Sequence, residues 1–243
     1  MQPRQNIAKS TIDILEEELR KIFLNKSTEA LKKMPVREIL LGLAVEHINT
    51  FYKFGELDYI GFSFDEDKDR VKQNDTSIFY DNNNKENMYV WQFNIIHDYD
   101  NFCRKLPFWT LSLSIVHNNN LESTFIINPF LDISVFSEKG SGAINNQRKI
   151  RSDKEHFKLV FGSSPQIKNL DSFDSYINFN LNSVSVELIY LSCGYLDFYI
   201  LSKEDLASYQ ECILVAKESG IIVTDCEQGY LLANEKVLKK LKN

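Results

Sequence analysis

The chain has 243 residues, of which 43% are hydrophobic and 12% aromatic, so it is long enough to bury the core of one large domain or two small ones. Its formal net charge is −6 and its pI is near 5.4, which argues against a general nucleic-acid-binding protein because such proteins normally present a basic face. The four cysteines form no C-x-x-C pair, and no apolar run approaches the roughly 20 residues of a membrane-spanning helix. Together with the lack of an apolar leader in MQPRQNIAKST, these features predict a cytoplasmic protein with reduced thiols.

Two amphipathic helices are predicted at the start of the chain. Residues 5–24 carry apolar side chains at three- and four-residue spacing, namely Ile12, Leu15, Leu19, Ile22 and Phe23. A second helix is predicted from about Pro35 to Tyr52, because proline suits a first helical turn and one apolar face follows it. The segment between them, NKSTEALKKM, is interpreted as a loop.

Strand patterns follow in the middle of the chain. Residues 57–63 predict a short strand, and the polar, asparagine-rich residues 65–88 predict a surface loop insertion. After the stretch 91–102, apolar and polar residues alternate from Trp109 to Ile115, which predicts a strand with one buried face. A hairpin turn is expected at residues 118–120, with return strands at 125–128 and 133–136.

The second half mixes short strands and helices. Gly140 and Gly142 mark a tight turn, and residues 153–181 form a polar linker region. A helix is predicted within 182–197 and a buried strand at 198–201. A helix from Ser202 to Gly220 follows, with the serine as N-cap and the glycine as terminator, and then a strand at 222–225 and a C-terminal helix with a basic run.

The stretch from Trp91 to Phe102, WQFNIIHDYDNF, resembles the signature W-I-I-D-P-I-D-G-T-T-N-F of the inositol monophosphatase family. Four residues match at the same spacing: Trp91, Ile96, Asn101 and Phe102. The residues that carry the family's chemistry differ. Asn94 and His97 stand at the two aspartates, Asp98 at the glycine and Tyr99 at the threonine.

Further segments carry the resemblance over nearly the whole chain. The run NPFLDISVFSEKGSGAINNQRKIRSDK resembles the family's N-P-x-x-D-E-L-F-x-A-x-x-G-x-G-A segment, and residues 182–197 resemble G-S-A-A-L-D-L-A-Y-V-A-A-G-R-L-D, with Asn182 at the opening glycine. The opening Met-x-Pro and Asn-Ile-Ala are similar to the bacterial SuhB-type branch. The resemblance implies an α/β (α+β) fold, a layered αβαβα sandwich, formed by residues 1–243 as a single domain, and a homodimer.

Family members hydrolyse phosphate monoesters with Mg²⁺, which is held by clustered carboxylates. By resemblance the metal positions are Phe62, Ser63, Asn94, His97 and Asp205, so one carboxylate remains of five. No catalytic residue is assigned. The metal candidates are Asn94, His97 and Asp205, with Asp98 and Asp65 as substitutes, and the substrate-binding candidates are Asp98, Tyr99 and Ser183. The family's V-T-x-x-D segment, whose aspartate helps to place metal, has no counterpart in NKSTEALKKM.

These candidates also have structural interpretations. Asp205 fits a capping-box position, where a carboxylate favours the helix N-terminus. His97 is either a loop histidine with satisfied hydrogen bonds or a Zn²⁺ ligand together with Asp205, Asp98 and a cysteine. Asp98 places negative charge where the family's glycine lets backbone N–H groups approach phosphate.

Three hypotheses follow. The first is a catalytically inactive family member that acts as a binding or regulatory protein without a cofactor; the SuhB-type resemblance implies a protein partner in the transcription machinery, with no sequence-specific nucleic acid and no membrane. The second is a Mg²⁺-dependent inositol-1-monophosphatase with displaced ligands drawn from Asp65, Glu66, Asp98 and Asp205. The third is a small-molecule sensor that kept a pocket, although the shortening near residues 198–205 counts against it.

Overall fold

The structure, a computed structural model, forms two compact units, Met1–Ser134 and Val135–Asn243. It describes residues 3–52, 58–63, 89–154, 156, 158–167, 170 and 175–241, and of residues 58, 59, 62 and 63 the backbone alone. The predicted insertion 65–88, with Asp65 and Glu66, lies outside the described residues. The single domain over 1–243 stays a prediction.

The first unit combines helices with a sheet that contains both parallel and antiparallel pairs. Its elements are α1 (Pro3–Asn25), α2 (Thr28–Lys33), α3 (Val36–Phe51), β1 (Asp58–Ser63), β2 (Tyr89–His97), α4 (Tyr99–Cys103), β3 (Thr110–His117) and β4 (Asn120–Asn128). β1 pairs with β2 in parallel, and β2–β3 and β3–β4 are antiparallel. The helices predicted at 5–24 and 35–52 and the strand predicted at 57–63 are therefore confirmed.

The segment between the first two predicted helices is not a loop throughout. Helix α2 occupies six of its residues, and Ser27 caps it by accepting a hydrogen bond from the amide of Ala30 at 3.2 Å. Glu29 lies in its first turn and Lys32 and Lys33 in its last, which suits the helix dipole. Sequence periodicity missed this helix because Leu31 is its one buried residue.

Strand β3 is buried on both faces, which corrects the prediction of one buried face. Ser112 and Ser114 are as buried as the apolar residues that alternate with them. Ser114 Oγ donates to Thr124 Oγ1 of β4 at 2.9 Å, so a buried hydroxyl finds its partner across the strand pair. The predicted hairpin turn is confirmed, with Asn118 at φ 49° and Asn119 at φ 62°, a conformation that asparagine tolerates.

The core of the first unit lies between its helices and its sheet. Helix α1 packs against α3 and against β3 and β4, and α3 packs against β2. An aromatic cluster joins these elements, with ring centroids 4.6 to 5.6 Å apart between Phe23 and each of Phe102, Trp109 and Phe130. Among the described helices none is long and apolar enough to cross a membrane.

The second unit combines a hairpin region with a mixed sheet. Strand β5 (Ile133–Glu138), which spans the unit boundary, pairs with β6 (Gly142–Asn145), and β6 pairs with β7 (Arg148–Lys149), all antiparallel. The remaining strands are β8 (Val160–Ser163), β9 (Ile177–Asn178), β10 (Phe198–Leu201), β11 (Ile222–Cys226) and β12 (Gly229–Ala233), in the sheet order β11-β12-β10-β8-β9. The helices are α5 (Val184–Ser192), α6 (Lys203–Ser208), α7 (Gln210–Glu218) and α8 (Glu235–Leu241).

Two predictions for the second unit need correction. The helix predicted from Ser202 to Gly220 is two helices, α6 and α7, because Tyr209 leaves helical geometry at φ −116° and ψ 37°. The predicted linker region 153–181 contains β8 and β9, which are too short, at four and two residues, to show a period in the sequence.

The predicted glycine turn after β5 is confirmed and has a defined partner. Gly140 and Gly142 adopt φ values of 74° and 92°, which favour glycine. Their amides donate to the two carboxylate oxygens of Glu218, at 2.7 and 2.8 Å. A carboxylate at the end of α7 is thus held by two backbone N–H groups, and this fixes the turn to the helix.

Candidate functional site

Two candidate residues of the first unit lie at the end of β2. The parallel pairing with β1 places Asn94 beside Ser63, so positions that the resemblance assigns to metal ligands share one edge of the sheet. On the other side, β3 places Ser112 opposite Asn94 and Thr110 opposite His97, with an irregularity in register between the two pairs. Asn94 and His97 are both buried.

The backbone between and after these residues takes an unusual path. Ile96 has φ 61° and Asp98 has φ 59°, both in the left-handed region. For an isoleucine this conformation is a rare outlier and costs about 1–2 kcal/mol. By resemblance Asp98 stands at the family's glycine position, and its φ lies in the region that glycine adopts most readily. The amide of Asn101 donates to the Asp98 carbonyl oxygen at 3.0 Å, at the start of α4.

A buried arginine that the sequence analysis did not single out contacts this loop. Arg37, in the first turn of α3, donates from Nε to the Ile95 carbonyl oxygen at 2.9 Å and from Nη2 to the Ile96 carbonyl oxygen at 3.0 Å. Its guanidinium carbon lies 4.4 Å from the centroid of the Tyr99 ring. The one sequence signal that could have pointed to Arg37 was its position, because it closely follows the segment that lacks the family's V-T-x-x-D aspartate.

Both the ring and the hydroxyl of Tyr99 take part in this arrangement. Its ring stacks on the Arg37 guanidinium, and its hydroxyl donates to the Leu31 carbonyl oxygen at 3.4 Å. Burial raises the pKa of Tyr99, and the neighbouring Cys103 raises it further, while the Arg37 charge lowers it. The phenol is therefore neutral at physiological pH.

In the second unit, Asp205 sits in the first turn of α6 but does not complete a capping box. The hydroxyl of Ser202 accepts a hydrogen bond from the Asp205 amide at 3.1 Å, as predicted for an N-cap. The reciprocal bond is absent from the described residues, because the Ser202 amide donates to Ser164 Oγ instead, at 2.9 Å. The position predicted for Asp205, in the first turn behind the Ser202 cap, is therefore confirmed, whereas its carboxylate does not make the reciprocal hydrogen bond of a capping box. Asp205 is 6% exposed, and its Oδ2 atom accepts no hydrogen bond from any described residue.

Ser183, the second-unit candidate for substrate binding, is placed as a helix cap. Its hydroxyl accepts a hydrogen bond from the Val186 amide at 3.4 Å at the start of α5. The preceding Asn182 has φ 53° and replaces the glycine of the family segment. As at Asp98, the left-handed conformation is adopted by one of the few non-glycine residues that tolerate it.

The donor atoms at the candidate positions differ from those that Mg²⁺ requires. Mg²⁺ takes oxygen ligands in octahedral geometry, with carboxylates to offset its charge. Within the described part of either unit, no three His, Cys, Asp or Glu side chains come together as a group that could hold a metal ion. The first unit offers an amide at Asn94, an imidazole at His97 and the guanidinium of Arg37 on the intervening backbone. This set does not fit Mg²⁺.

Two oxygen atoms at positions that the resemblance assigns to metal ligands nevertheless lack hydrogen-bond partners among the described residues. Asn94 Oδ1 and Asp205 Oδ2 are buried, and neither accepts a hydrogen bond from the residues that the structure describes. Buried acceptors are normally paired, so these atoms are the part of each unit that a cation or a donor group would suit. Asn94 lies in the first unit and Asp205 in the second.

Two curated proteins with similar sequences are a phosphatase of the resembled family and a SuhB protein. The chain is 26% identical over 145 residues to the fructose-1,6-bisphosphatase/inositol-1-monophosphatase of Thermotoga maritima, covering 56% of each chain. It is 26% identical over 160 residues to the Nus factor SuhB of Xylella fastidiosa, covering 60% of this chain and 52% of that protein. The matches thus span about half the length of these relatives. No protein-family model matches the chain.

Solved structures extend the similarity to the whole chain. The extragenic suppressor protein SuhB of Bartonella henselae superposes with a TM-score of 0.71 at 16% identity, covering 100% of both chains. Inositol monophosphatase II of Staphylococcus aureus gives a TM-score of 0.72 at 14% identity, covering 100% of this chain and 92% of that one. At such identities the match establishes the fold, and the predicted α/β (α+β) sandwich of the inositol monophosphatase type is confirmed.

Proposed function

We propose that the chain is a SuhB-type member of the inositol monophosphatase family and acts there as a non-catalytic binding or regulatory protein. The observation that carries this proposal is the chemistry at the end of β2. An amide and an imidazole occupy the two aspartate positions, and the guanidinium of Arg37 binds the backbone between them. Positive charge from the protein itself thus lies on the backbone between the two positions that, by resemblance, carry carboxylates in a metal-dependent phosphatase.

The slowness of the uncatalysed reaction makes the loss of the metal-binding carboxylates decisive. Phosphate-monoester hydrolysis is among the slowest reactions that enzymes accelerate, with enhancements of up to about 10²¹-fold. Metal ions provide much of the required positive charge on the phosphate and activate the attacking water. A site with Phe62, Ser63, Asn94 and His97 at four of the five metal positions offers no carboxylate there to hold those ions. We therefore expect no turnover.

The partner is proposed from the relatives. The Xylella fastidiosa protein is named a Nus factor, and the SuhB-type branch that the chain resembles implies association with the transcription machinery. We place the chain in the cytoplasm with a protein partner in a transcription complex. Immobilised chain exposed to purified RNA polymerase and Nus factors should retain one of them at micromolar concentration. Retention of none of them would contradict this part of the proposal.

A homodimer is the proposed oligomeric state. Two-fold dimers are the commonest soluble oligomers, and the resemblance implies one here. Static light scattering over a concentration series measures this directly. A mass of one chain at every micromolar concentration would contradict the dimer without bearing on catalysis.

The alternative function is a Mg²⁺-dependent inositol-1-monophosphatase with displaced ligands. The specific observation in its favour is the pair of buried acceptors, Asn94 Oδ1 and Asp205 Oδ2, which accept no hydrogen bond from described residues. A crystal soaked in Mn²⁺ with phosphate separates the two functions. The non-catalytic proposal expects no anomalous density at either residue, whereas a peak bound by Asp205 together with phosphate would support the enzyme.

A further inference from the structure

We propose that Arg37 is the resident cation of the loop Asn94–Asp98, and that its guanidinium holds this loop in place without any divalent ion. The proposal rests on the proposed function in one respect, the absence of metal from the loop. It goes further because it assigns a role to a residue outside the family signature.

The geometry of the contact singles out one residue of the loop. The Ile95 carbonyl belongs to the peptide plane before the Ile96 Cα atom, and the Ile96 carbonyl belongs to the plane after it. Arg37 donates to both, from Nε at 2.9 Å and from Nη2 at 3.0 Å. Because a guanidinium is planar and rigid, binding both planes fixes the two backbone dihedrals of Ile96 at once.

The fixed conformation is one that the chain would not adopt by itself. Ile96 has φ 61°, and a β-branched residue at positive φ persists only when its surroundings hold it. The Ile96 side chain is buried, so the residue cannot relax without opening the core. Hydrogen bonds from a charged donor are about twice as strong as neutral ones, which suits Arg37 to this task.

The arginine is itself held firmly. It is 9% exposed and lies in the first turn of α3, whose Leu40, Ala44 and Ile48 are fully buried. The Tyr99 ring packs against its guanidinium at 4.4 Å, directly after the loop. Arg37 therefore contacts the loop's backbone and the side chain that follows the loop.

This arrangement has a consequence for divalent ions. A metal that bound the Ile95 or Ile96 carbonyl oxygen would have to displace a buried cation or lie beside it, and like charges repel strongly where water is excluded. The ordering of residues 94–98 should therefore be the same in excess Mg²⁺, in excess Mn²⁺ and in EDTA.

The test combines hydrogen exchange with paired substitutions. Amide exchange of the peptides covering 94–98 is followed by mass spectrometry in wild type, Arg37→Lys and Arg37→Met. Arg20→Lys and Arg20→Met are the matched controls, because Arg20 is a half-exposed arginine of the same unit, paired with Glu16 on α1. We expect both Arg37 variants to exchange roughly tenfold faster or more in 94–98, the factor that losing a hydrogen bond to a charged group produces, and the Arg20 variants to match wild type.

Wild type alone keeps the proposal testable if a variant fails to fold. Exchange in 94–98 that slows when Mg²⁺ or Mn²⁺ is added would overturn the inference, as would wild-type exchange in Arg37→Met. Mg²⁺-dependent phosphate release by wild type with unchanged exchange in 94–98 would overturn the proposed function and leave the role of Arg37 intact.

Discussion

Ser202 and Asp205 form half of a capping box. The serine hydroxyl accepts a hydrogen bond from the aspartate amide at 3.1 Å, but the aspartate carboxylate does not accept one from the serine amide. The Ser202 amide is already satisfied by Ser164 Oγ. The carboxylate of Asp205 is thus left in a buried place that helix capping does not explain, although the dipole of α6 favours its charge.

This relationship predicts different outcomes for two neighbouring substitutions. Ser202→Ala should lower the free energy of unfolding by about 1 kcal/mol, because the first turn of α6 loses its cap. Asp205→Asn should change it by no more than about 0.5 kcal/mol, since relief of a buried charge offsets the lost dipole interaction. Urea unfolding of both variants measures the two effects. A larger loss in Asp205→Asn than in Ser202→Ala would show that the carboxylate has a stabilising partner.

The left-handed residues at glycine positions give a second prediction. At Asp98, with φ 59°, the glycine variant should be more stable than the alanine variant by about 1 kcal/mol, because both lose the side chain and alanine alone resists this conformation. The same order should hold at Asn182, with φ 53°. Thermal unfolding of the four variants measures this. Equal stability of the glycine and alanine forms would mean that the loop relaxes on substitution.

The carboxylate of Glu218 gives a third prediction. Glu218→Ala leaves the Gly140 and Gly142 amides without their acceptor, at a cost of about 1 kcal/mol after allowing for partial exposure. Glu235→Ala is the matched control, since its ion pair with Lys239 is on the surface, and we expect no measurable loss there. Chemical denaturation compares them. Equal effects of the two substitutions would show that the turn does not depend on its carboxylate.

Cys193 should make stability fall at high pH. Burial raises the pKa of its thiol from 9.0 to about 11, with the Lys154 charge opposing the shift. In the unfolded chain the thiol ionises first, so its contribution to stability is complete below about pH 9 and is lost as the pH rises towards 11. A change of pKa from 9.0 to about 11 corresponds to a full loss of about 3 kcal/mol. Cys193→Ala should show a shallower decline over this window than wild type, and parallel pH profiles would contradict the assignment.

Much of the fold could be predicted because its elements carry strong local signals. Strand β10 is a continuous apolar run that is buried throughout, and α1 repeats its apolar residues over many turns. Helix α2 was not predicted, because a single buried residue produces no hydrophobic periodicity. The division between α6 and α7 was not predicted, because nothing in the sequence near Tyr209 resembles a helix terminator.

The site was only partly predictable, for a different reason. The signature singled out Asn94, His97 and Asp98, which the structure places at and just after the end of β2, because a motif of fixed spacing defines its own register. Arg37 could not be found in this way, because its partners are carbonyl oxygens 58 and 59 residues away. Every residue has a backbone carbonyl, so the sequence does not indicate which of them an arginine binds. The role of Ser164 could not be predicted for a similar reason, because its hydroxyl accepts a hydrogen bond from the amide of Ser202, 38 residues along the chain.

The most direct test of the central claim is phosphate release from inositol 1-phosphate, measured with Mg²⁺ and then with Mn²⁺, for wild type and Asp205→Asn side by side. Both should give the rate of a blank without protein, because Asn94 and His97 offer no carboxylate to hold the ions and Arg37 supplies a competing cation. The inositol monophosphatase of Thermotoga maritima, assayed in parallel, shows that the conditions permit turnover. Metal-dependent release by wild type that disappears in Asp205→Asn would contradict the claim and identify a working phosphatase site at that carboxylate.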